Sequence, residues 1–161
     1  MRGLRRVYGR LSTLNLEFQS LQAGAVAAGK ESQVNSGSVL LVEDDDTLVH
    51  SIVRNLAVRG YETRAAGTVT DGVLLLAEEC PALLLLDVDL PDGSGWEVLR
   101  ALRAGPCHDT PVIVVSALRA NPRLVGELHC LAVLEKPFPM ESLLRLVREH
   151  IGDAVTEEKH V

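Results

Sequence analysis

The chain has 161 residues, 47% hydrophobic and 24% charged, which suits a globular domain with a short appendage. No apolar run reaches the roughly 18 residues of a membrane-spanning helix. No cleavable signal peptide is evident, so the sequence predicts a cytoplasmic protein. Three cysteines, Cys80, Cys107 and Cys130, are odd in number and far apart. They predict a reducing compartment, no disulfide framework and no zinc site.

Charge divides the chain at about Ser38. Up to this residue there are five basic and two acidic side chains, a net charge of +3. The remainder has 11 basic and 20 acidic side chains, a net charge of −9. Because a domain of this charge would repel phosphate, direct nucleic acid binding by it is not expected.

The first 25 residues follow a heptad pattern, in which apolar side chains recur at alternating steps of three and four. These positions are Leu4, Val7, Leu11, Leu14, Phe18, Leu21 and Ala25. The pattern fits a small dimerisation helix, but equally an amphipathic helix packed on its own domain or a frayed extension. A targeting segment and a membrane-surface helix are further alternatives. Since residues 24–38 have the composition of a linker, residues 1–38 are assigned to an N-terminal helix and linker.

Strands and helices alternate from Val39 onwards. Val39–Val42 predicts a short strand, and the acidic run 43–46 leads into a helical pattern that starts at Thr47 and stops at Gly60. Tyr61–Ala66 predicts a second strand and Thr70–Glu79 a second helix.

The third strand, Ala82–Asp87, contains four consecutive leucines, which indicates a strand buried on both faces. Such a run should end in a carboxylate only where the strand delivers that group to a site. Pro91, Gly93 and Gly95 then break the chain into a loop, and a third helix starts at Ser94 or Gly95.

The last two units follow the same order. Pro111–Ser116 predicts the fourth strand, Pro122–His129 a weak fourth helix, Leu131–Leu134 the fifth strand and Pro139–His150 the fifth helix. Residues 151–161 form a polar tail. Five strand–helix units predict an α/β fold with a doubly wound, five-stranded parallel sheet over residues 39–150.

Polar side chains follow four of the predicted strands at their carboxyl ends, where open α/β sheets bind ligands. They are Glu43, Asp44, Asp87, Ser116 and Lys136. Taken alone, each has a plainer explanation: the acids could be solvated or cap a helix, and the serine and lysine could be ordinary side chains. Asp45 and Asp46 are assigned to the amino end of the first helix.

Four motifs, in this order and spacing, resemble the receiver (phosphoacceptor) domain of two-component response regulators, a CheY-like domain of flavodoxin-like fold. They are Val39-Leu40-Leu41-Val42-Glu43-Asp44-Asp45, Asp87-x-x-Leu90-Pro91-x-x-x-Gly95, Ser116-Ala117 and Lys136-Pro137-Phe138. The resemblance covers about Val39 to His150. It implies that Asp87 accepts a phosphoryl group as an aspartyl phosphate.

The resemblance also implies a Mg²⁺ site, because hard oxygen ligands suit this ion. Asp44 and Asp87 would bind the ion directly, Glu43 through a water, and Asp89 through its backbone carbonyl. Lys136 would place an ammonium on the phosphoryl oxygens.

Three further features follow from the family resemblance. Ser116 would donate its hydroxyl to the phosphoryl group, and the Lys136–Pro137 bond would be cis. Receivers often carry a Tyr or Phe three residues before the lysine, whose ring turns inward on phosphorylation. Here that position is Val133, which predicts an altered, weaker or dimer-based output through the fourth helix, fifth strand and fifth helix.

The leading interpretation is a stand-alone receiver, because neither end of the chain is long enough for an output domain. A histidine kinase or phosphotransfer protein would phosphorylate Asp87 with Mg²⁺, and a protein partner would read the change. The chain would not be an enzyme beyond self-phosphorylation and self-dephosphorylation. The alternative is a phosphorylation-independent adaptor that forms a homodimer through its heptad helix.

Overall fold

The structure is a computed structural model that describes residues 37–117 and 121–153, so the heptad positions lie outside the described residues. The strands of its main sheet are β1 (Val39–Val42), β2 (Thr63–Ala66), β3 (Leu83–Asp87), β4 (Val112–Ser116) and β5 (Ala132–Glu135). The helices are α1 (Asp46–Val58), α2 (Val69–Glu78), α3 (Gly95–Ala104), α4 (Pro122–Glu127) and α5 (Met140–Ile151). Every element predicted within residues 39–150 is present, and the predicted and observed ends differ by at most two residues.

The five strands form one parallel sheet in the order β2-β1-β3-β4-β5, which confirms the predicted doubly wound fold. β3 lies at the centre, and all five of its residues are buried. Its leucines alternate between the two faces of the sheet: Leu84 and Leu86 share a core cluster with α2 and α3. This burial on both faces explains the unbroken leucine run.

Local sequence signals start the helices that surround the site. Asp45 caps α1 by accepting hydrogen bonds from the backbone N–H groups of Thr47 and Leu48, as predicted. Thr68 caps α2. Ser94 and Glu97 form a capping box at the start of α3.

The prediction of a chain without disulfides is wrong. Cys80, just after α2, is bonded to Cys107, just after α3, with their Cα atoms 5.2 Å apart. The two residues are 27 positions apart in sequence, and nothing local in the sequence indicates their distance. They meet because α2 and α3 pack side by side on one face of the sheet. Cys130 is a free, half-buried thiol.

Among the helices of the described residues, none is long and apolar enough to cross a membrane.

Candidate functional site

The parallel register brings the predicted polar side chains to one edge of the sheet. Val42 pairs with Leu86, so Glu43 and Asp87 are neighbours at the ends of β1 and β3. Asp87 pairs with Val115, which places Ser116 one residue further along β4. Lys136 follows directly after β5, and its N–H donates to the Ser116 carbonyl oxygen over 2.8 Å.

Three carboxylates form an acidic cluster at this edge. One oxygen each from Glu43, Asp44 and Asp87 lies within 4.8 Å of the others. Glu43 and Asp87 are buried, whereas Asp44 is exposed. Ligand oxygens around one Mg²⁺ lie about 3–4 Å apart, given metal–oxygen distances of about 2.0–2.1 Å. The cluster therefore offers the all-oxygen, acidic donors that suit a small divalent cation.

Lys136 bridges the two buried carboxylates. Its Nζ lies 2.7 Å from Glu43 Oε2 and 2.8 Å from Asp87 Oδ2. Burial raises the pKa of Glu43 above its ordinary value. Burial alone would lower the pKa of Lys136, but its hydrogen bonds to Asp87 and Glu43 outweigh that effect and raise the pKa. Lys136 is therefore a stable cation at neutral pH.

The Lys136–Pro137 peptide bond is cis, which confirms the prediction for that bond.

Residues 88–94, here called the site loop, follow Asp87 and contain a short antiparallel hairpin of Asp89–Leu90 and Gly93–Ser94. The N–H of Asp89 donates to Asp87 Oδ1 over 3.0 Å, which orients the carboxylate. Gly95 closes the loop, its N–H donating to the Val88 carbonyl oxygen over 2.8 Å. A Cβ at Gly95 would lie 2.0 Å from the Asp87 carbonyl oxygen, so only glycine fits here.

Asp92 was not among the predicted site residues, yet it anchors the site loop to α2. Its carboxylate accepts hydrogen bonds from the Val69 N–H at 2.7 Å, the Thr70 N–H at 3.0 Å and the Thr70 hydroxyl at 2.9 Å. Slight burial would raise the pKa of Asp92, but these hydrogen bonds outweigh it and hold the pKa below its ordinary value. The Pro-Asp-Gly sequence indicates only a turn; its helix partner is 22 to 23 residues upstream.

Position 133, three residues before Lys136, carries no aromatic ring. Val133 lies on β5, paired with Val114, and packs half-buried against the core cluster of α2 and α3. Ser116 is 1% exposed at the end of β4. The two residues therefore lie on adjacent strands, and Val133 is aliphatic.

Comparison with known proteins agrees with this arrangement. Residues 39–148 match the response regulator receiver domain family. The chain belongs to this family. Phosphorylation on an aspartate and Mg²⁺ binding in the active site are general features of receiver domains, and receivers interact with histidine kinases or phosphotransfer proteins. Receiver domains are generally not true enzymes.

The curated relatives are regulators. The chain is 37% identical over 130 residues to an uncharacterized transcriptional regulatory protein, YkoG, of Bacillus subtilis (strain 168), covering 80% of this chain and 57% of that protein. It is 36% identical over 112 residues to the transcriptional regulatory protein KdpE of Mycobacterium tuberculosis (strain ATCC 25618 / H37Rv), covering 68% and 49%. The chain thus spans about half the length of the curated relatives it matches.

Solved structures share the receiver fold. A CheY-like response regulator receiver domain protein from Methanospirillum hungatei JF-1 superposes with a TM-score of 0.66 at 28% identity, covering 71% of this chain and 93% of that one. The receiver domain of the sensor histidine kinase PA1611 from Pseudomonas aeruginosa PAO1 has a TM-score of 0.62 at 24% identity, covering 73% and 98%. That structure has a magnesium ion coordinated in its active site cleft.

Proposed function

We propose that residues 39–150 act as a phosphorylation-dependent signalling module in which Asp87 accepts a phosphoryl group. The observation that carries this proposal is the grouping of Asp87 with Glu43, Asp44 and Lys136 at the carboxyl edge of the sheet. The Asp87 carboxylate is nearly buried but reaches the site edge, and Lys136 and the Asp89 N–H orient it. An ionised carboxylate held in this way is a competent nucleophile.

Each neighbouring group has a distinct task in the proposal. Asp44 and Asp87 would hold Mg²⁺ directly, Glu43 would hold it through a water, and Asp89 would offer its backbone carbonyl. The ion supplies charge neutralisation between the phosphoryl oxygens and the carboxylates when bound.

Lys136 and Ser116 act on the transferred group. The Lys136 ammonium moves from its two carboxylate contacts towards the phosphoryl oxygens as their charge develops, and Ser116 donates its hydroxyl to another oxygen. Since Lys136 already lies 2.8 Å from the accepting Asp87 Oδ2, this needs only a small displacement.

The output is a change in binding to a protein partner. The acyl phosphate shifts an equilibrium between two arrangements of the surface formed by α4, β5 and α5. Val133 supports a readout that does not use a rotating ring. A histidine kinase or phosphotransfer protein is the proposed donor, and the proposed location is the cytoplasm. The stand-alone organisation and the absence of nucleic acid contacts stay predictions.

Incubation with a small phosphodonor and Mg²⁺ tests the proposal. Intact-mass analysis should show one added phosphoryl group per chain, lost on removal of Mg²⁺ and in Asp87→Asn. Asp46→Asn is the matched control, because Asp46 is an exposed carboxylate in the first turn of α1 and should not affect labelling. Labelling that persists in Asp87→Asn, or no labelling of the wild type, would contradict the proposal.

A further inference from the structure

The Cys80–Cys107 disulfide and the site loop join the same two helices at opposite ends. At the amino ends, Asp92 of the loop binds the first N–H groups of α2, and Ser94 caps α3. At the carboxyl ends, Cys80 follows α2 and Cys107 follows α3, and the disulfide connects them. Both the disulfide and the site loop beside Asp87 therefore constrain the position of α2 relative to α3.

The surroundings of the disulfide suit a bond that opens and closes. Cys80 is exposed, whereas Cys107 is 5% exposed. The sulfur of Cys107 lies 3.7 Å from the Leu76 carbonyl oxygen, in the last turn of α2, where carbonyl groups lack partners within the helix. In the disulfide this sulfur has no proton to donate, but a reduced Cys107 thiol would meet an acceptor there.

The loops also stay connected without the disulfide. The Thr110 hydroxyl donates to the Pro81 carbonyl oxygen over 3.0 Å, linking the segments after α2 and α3. Reduction thus leaves Cys107 with a hydrogen-bond acceptor and does not separate the two segments. A permanent disulfide is typical of oxidising compartments, whereas a pair accommodated in both states suits reversible exchange.

We propose that Cys80 and Cys107 are a reversible thiol–disulfide site, exchanged by a small thiol such as glutathione, that adjusts the site loop. The thiolate of the small thiol attacks the exposed Cys80 sulfur and forms a mixed disulfide. The Cys80–Cys107 bond breaks, and Cys107 leaves as a thiolate and takes up a proton. A second small thiol then releases Cys80, so two small thiols are oxidised to one disulfide while the protein gains two electrons and two protons.

The effect on the loop rests on the function proposed above. With the disulfide closed, α2 and α3 are connected at both ends, and the site loop is pre-organised for Mg²⁺. With the disulfide open, only the loop and the packing of the helices keep their spacing. Mg²⁺ affinity should then fall by about fivefold, the low end of typical couplings between two sites.

The first experiment tests the exchange itself on the full chain carrying Cys130→Ser, which removes the third thiol. The protein is equilibrated at stepped ratios of reduced to oxidised glutathione, and free thiols are trapped with a maleimide mass tag. We expect a transition between no tag and two tags within this range. Two tags at the most oxidising ratio, or none at the most reducing ratio, would overturn the proposal.

The second experiment tests the coupling by Mg²⁺ titration of the fluorescence of Trp96, the single tryptophan, which is buried at the start of α3. The oxidised form should bind Mg²⁺ about fivefold more tightly than the reduced form. A Cys80→Ser/Cys107→Ser/Cys130→Ser variant should match the reduced form in either buffer. Equal affinities of both redox forms would overturn the coupling. Absence of Mg²⁺ binding in both forms would overturn the function proposed for the site, while the mass tags would still decide the disulfide.

Discussion

At the residue scale, charge compensation holds the site together. Glu43 and Asp87 place two carboxylates in nearly buried positions, and Lys136 contacts both of them. Removal of one partner from a buried ionic group is strongly destabilising, because the remaining charges lose their compensation but stay away from water. Lys136 is therefore expected to stabilise the fold as well as the transferred group.

Lys136→Met should lower the free energy of unfolding at neutral pH by about 3 kcal/mol, the lower end for removal of one partner from a buried ionic group, because Lys136 itself is partly exposed. Without the cation, the folded-state pKa of Glu43, already raised by burial, rises further. The stability of the variant should fall as pH rises through this value, so its loss relative to the wild type should be smaller at mildly acidic pH. Urea unfolding at the two pH values measures this, and a loss that is the same at both would contradict the prediction. Arg123→Met, at an exposed i,i+4 pair with Glu127, should cost only a few tenths of a kcal/mol.

At position 95, a close approach of the backbone leaves no room for a side chain. In Gly95→Ala the new methyl would lie 2.0 Å from the Asp87 carbonyl oxygen, a backbone atom that cannot move alone. We expect a loss of about 3 kcal/mol in urea unfolding, together with loss of phosphodonor labelling. Gly126→Ala in α4 is the matched control, because nothing lies within 4 Å of its Cβ position. It should gain about 0.5–1 kcal/mol, and an equal loss in both variants would refute the steric explanation.

At the element scale, the amino ends of α2 and α3 hold the site loop. Asp92 supplies acceptors to the first N–H groups of α2, a position where a helix also favours negative charge. The helix and the loop therefore stabilise each other, and a change in this cap should affect both.

Asp92→Ala should destabilise the domain by about 1 kcal/mol at neutral pH, the usual cost of a lost helix cap. Because the folded-state pKa of Asp92 is lowered, its charge contributes fully above the ordinary Asp pKa of about 3.9. The contribution disappears as pH falls through the lowered value, so the gap between wild type and variant should narrow in strong acid. Chemical unfolding across this pH range is the measurement.

Asp109→Ala provides the control for Asp92→Ala. Its carboxylate is 95% exposed and lies 3.3 Å from a ring nitrogen of His108, so its removal should leave stability nearly unchanged. A comparable loss in this variant would show that the effect of Asp92→Ala is not due to the cap.

At the scale of the whole molecule, an acidic segment of the chain brings three carboxylates to one edge of the sheet. The segment after Ser38 carries a net charge of −9, and three of its carboxylates share one edge. A cation that binds only the folded state stabilises the entire domain by mass action. Metal binding should therefore be visible in global unfolding.

Mg²⁺ at about ten times its dissociation constant should raise the free energy of unfolding by about 1.4 kcal/mol. Asp44→Asn should remove most of this increase, because Asp44 is proposed as a direct ligand of the ion. Asp46→Asn should keep it. The measurement is the urea midpoint as a function of Mg²⁺ concentration, and equal stabilisation of Asp44→Asn and wild type would argue against the proposed ligand set.

The sequence by itself determined the fold class, the order of the elements and the side chains at the strand ends. It could do so because alternation, helical periodicity and the leucine run ending at Asp87 are local properties of the chain. Parallel strands bring their carboxyl ends to one edge of the sheet, so the sequence predicts Glu43, Asp87 and Lys136 as neighbours.

Tertiary structure alone decided which distant groups make contact. Asp92 reaches α2 across 22 to 23 residues, and Cys80 meets Cys107 across 27. Both contacts depend on how α2 and α3 pack on β3. Apolar periodicity shows which face of a helix is buried, but it does not show which distant side chain that helix will meet. The Lys136 bridge belongs here too, because the sequence placed the lysine at the site but only the packed sheet paired it with Glu43.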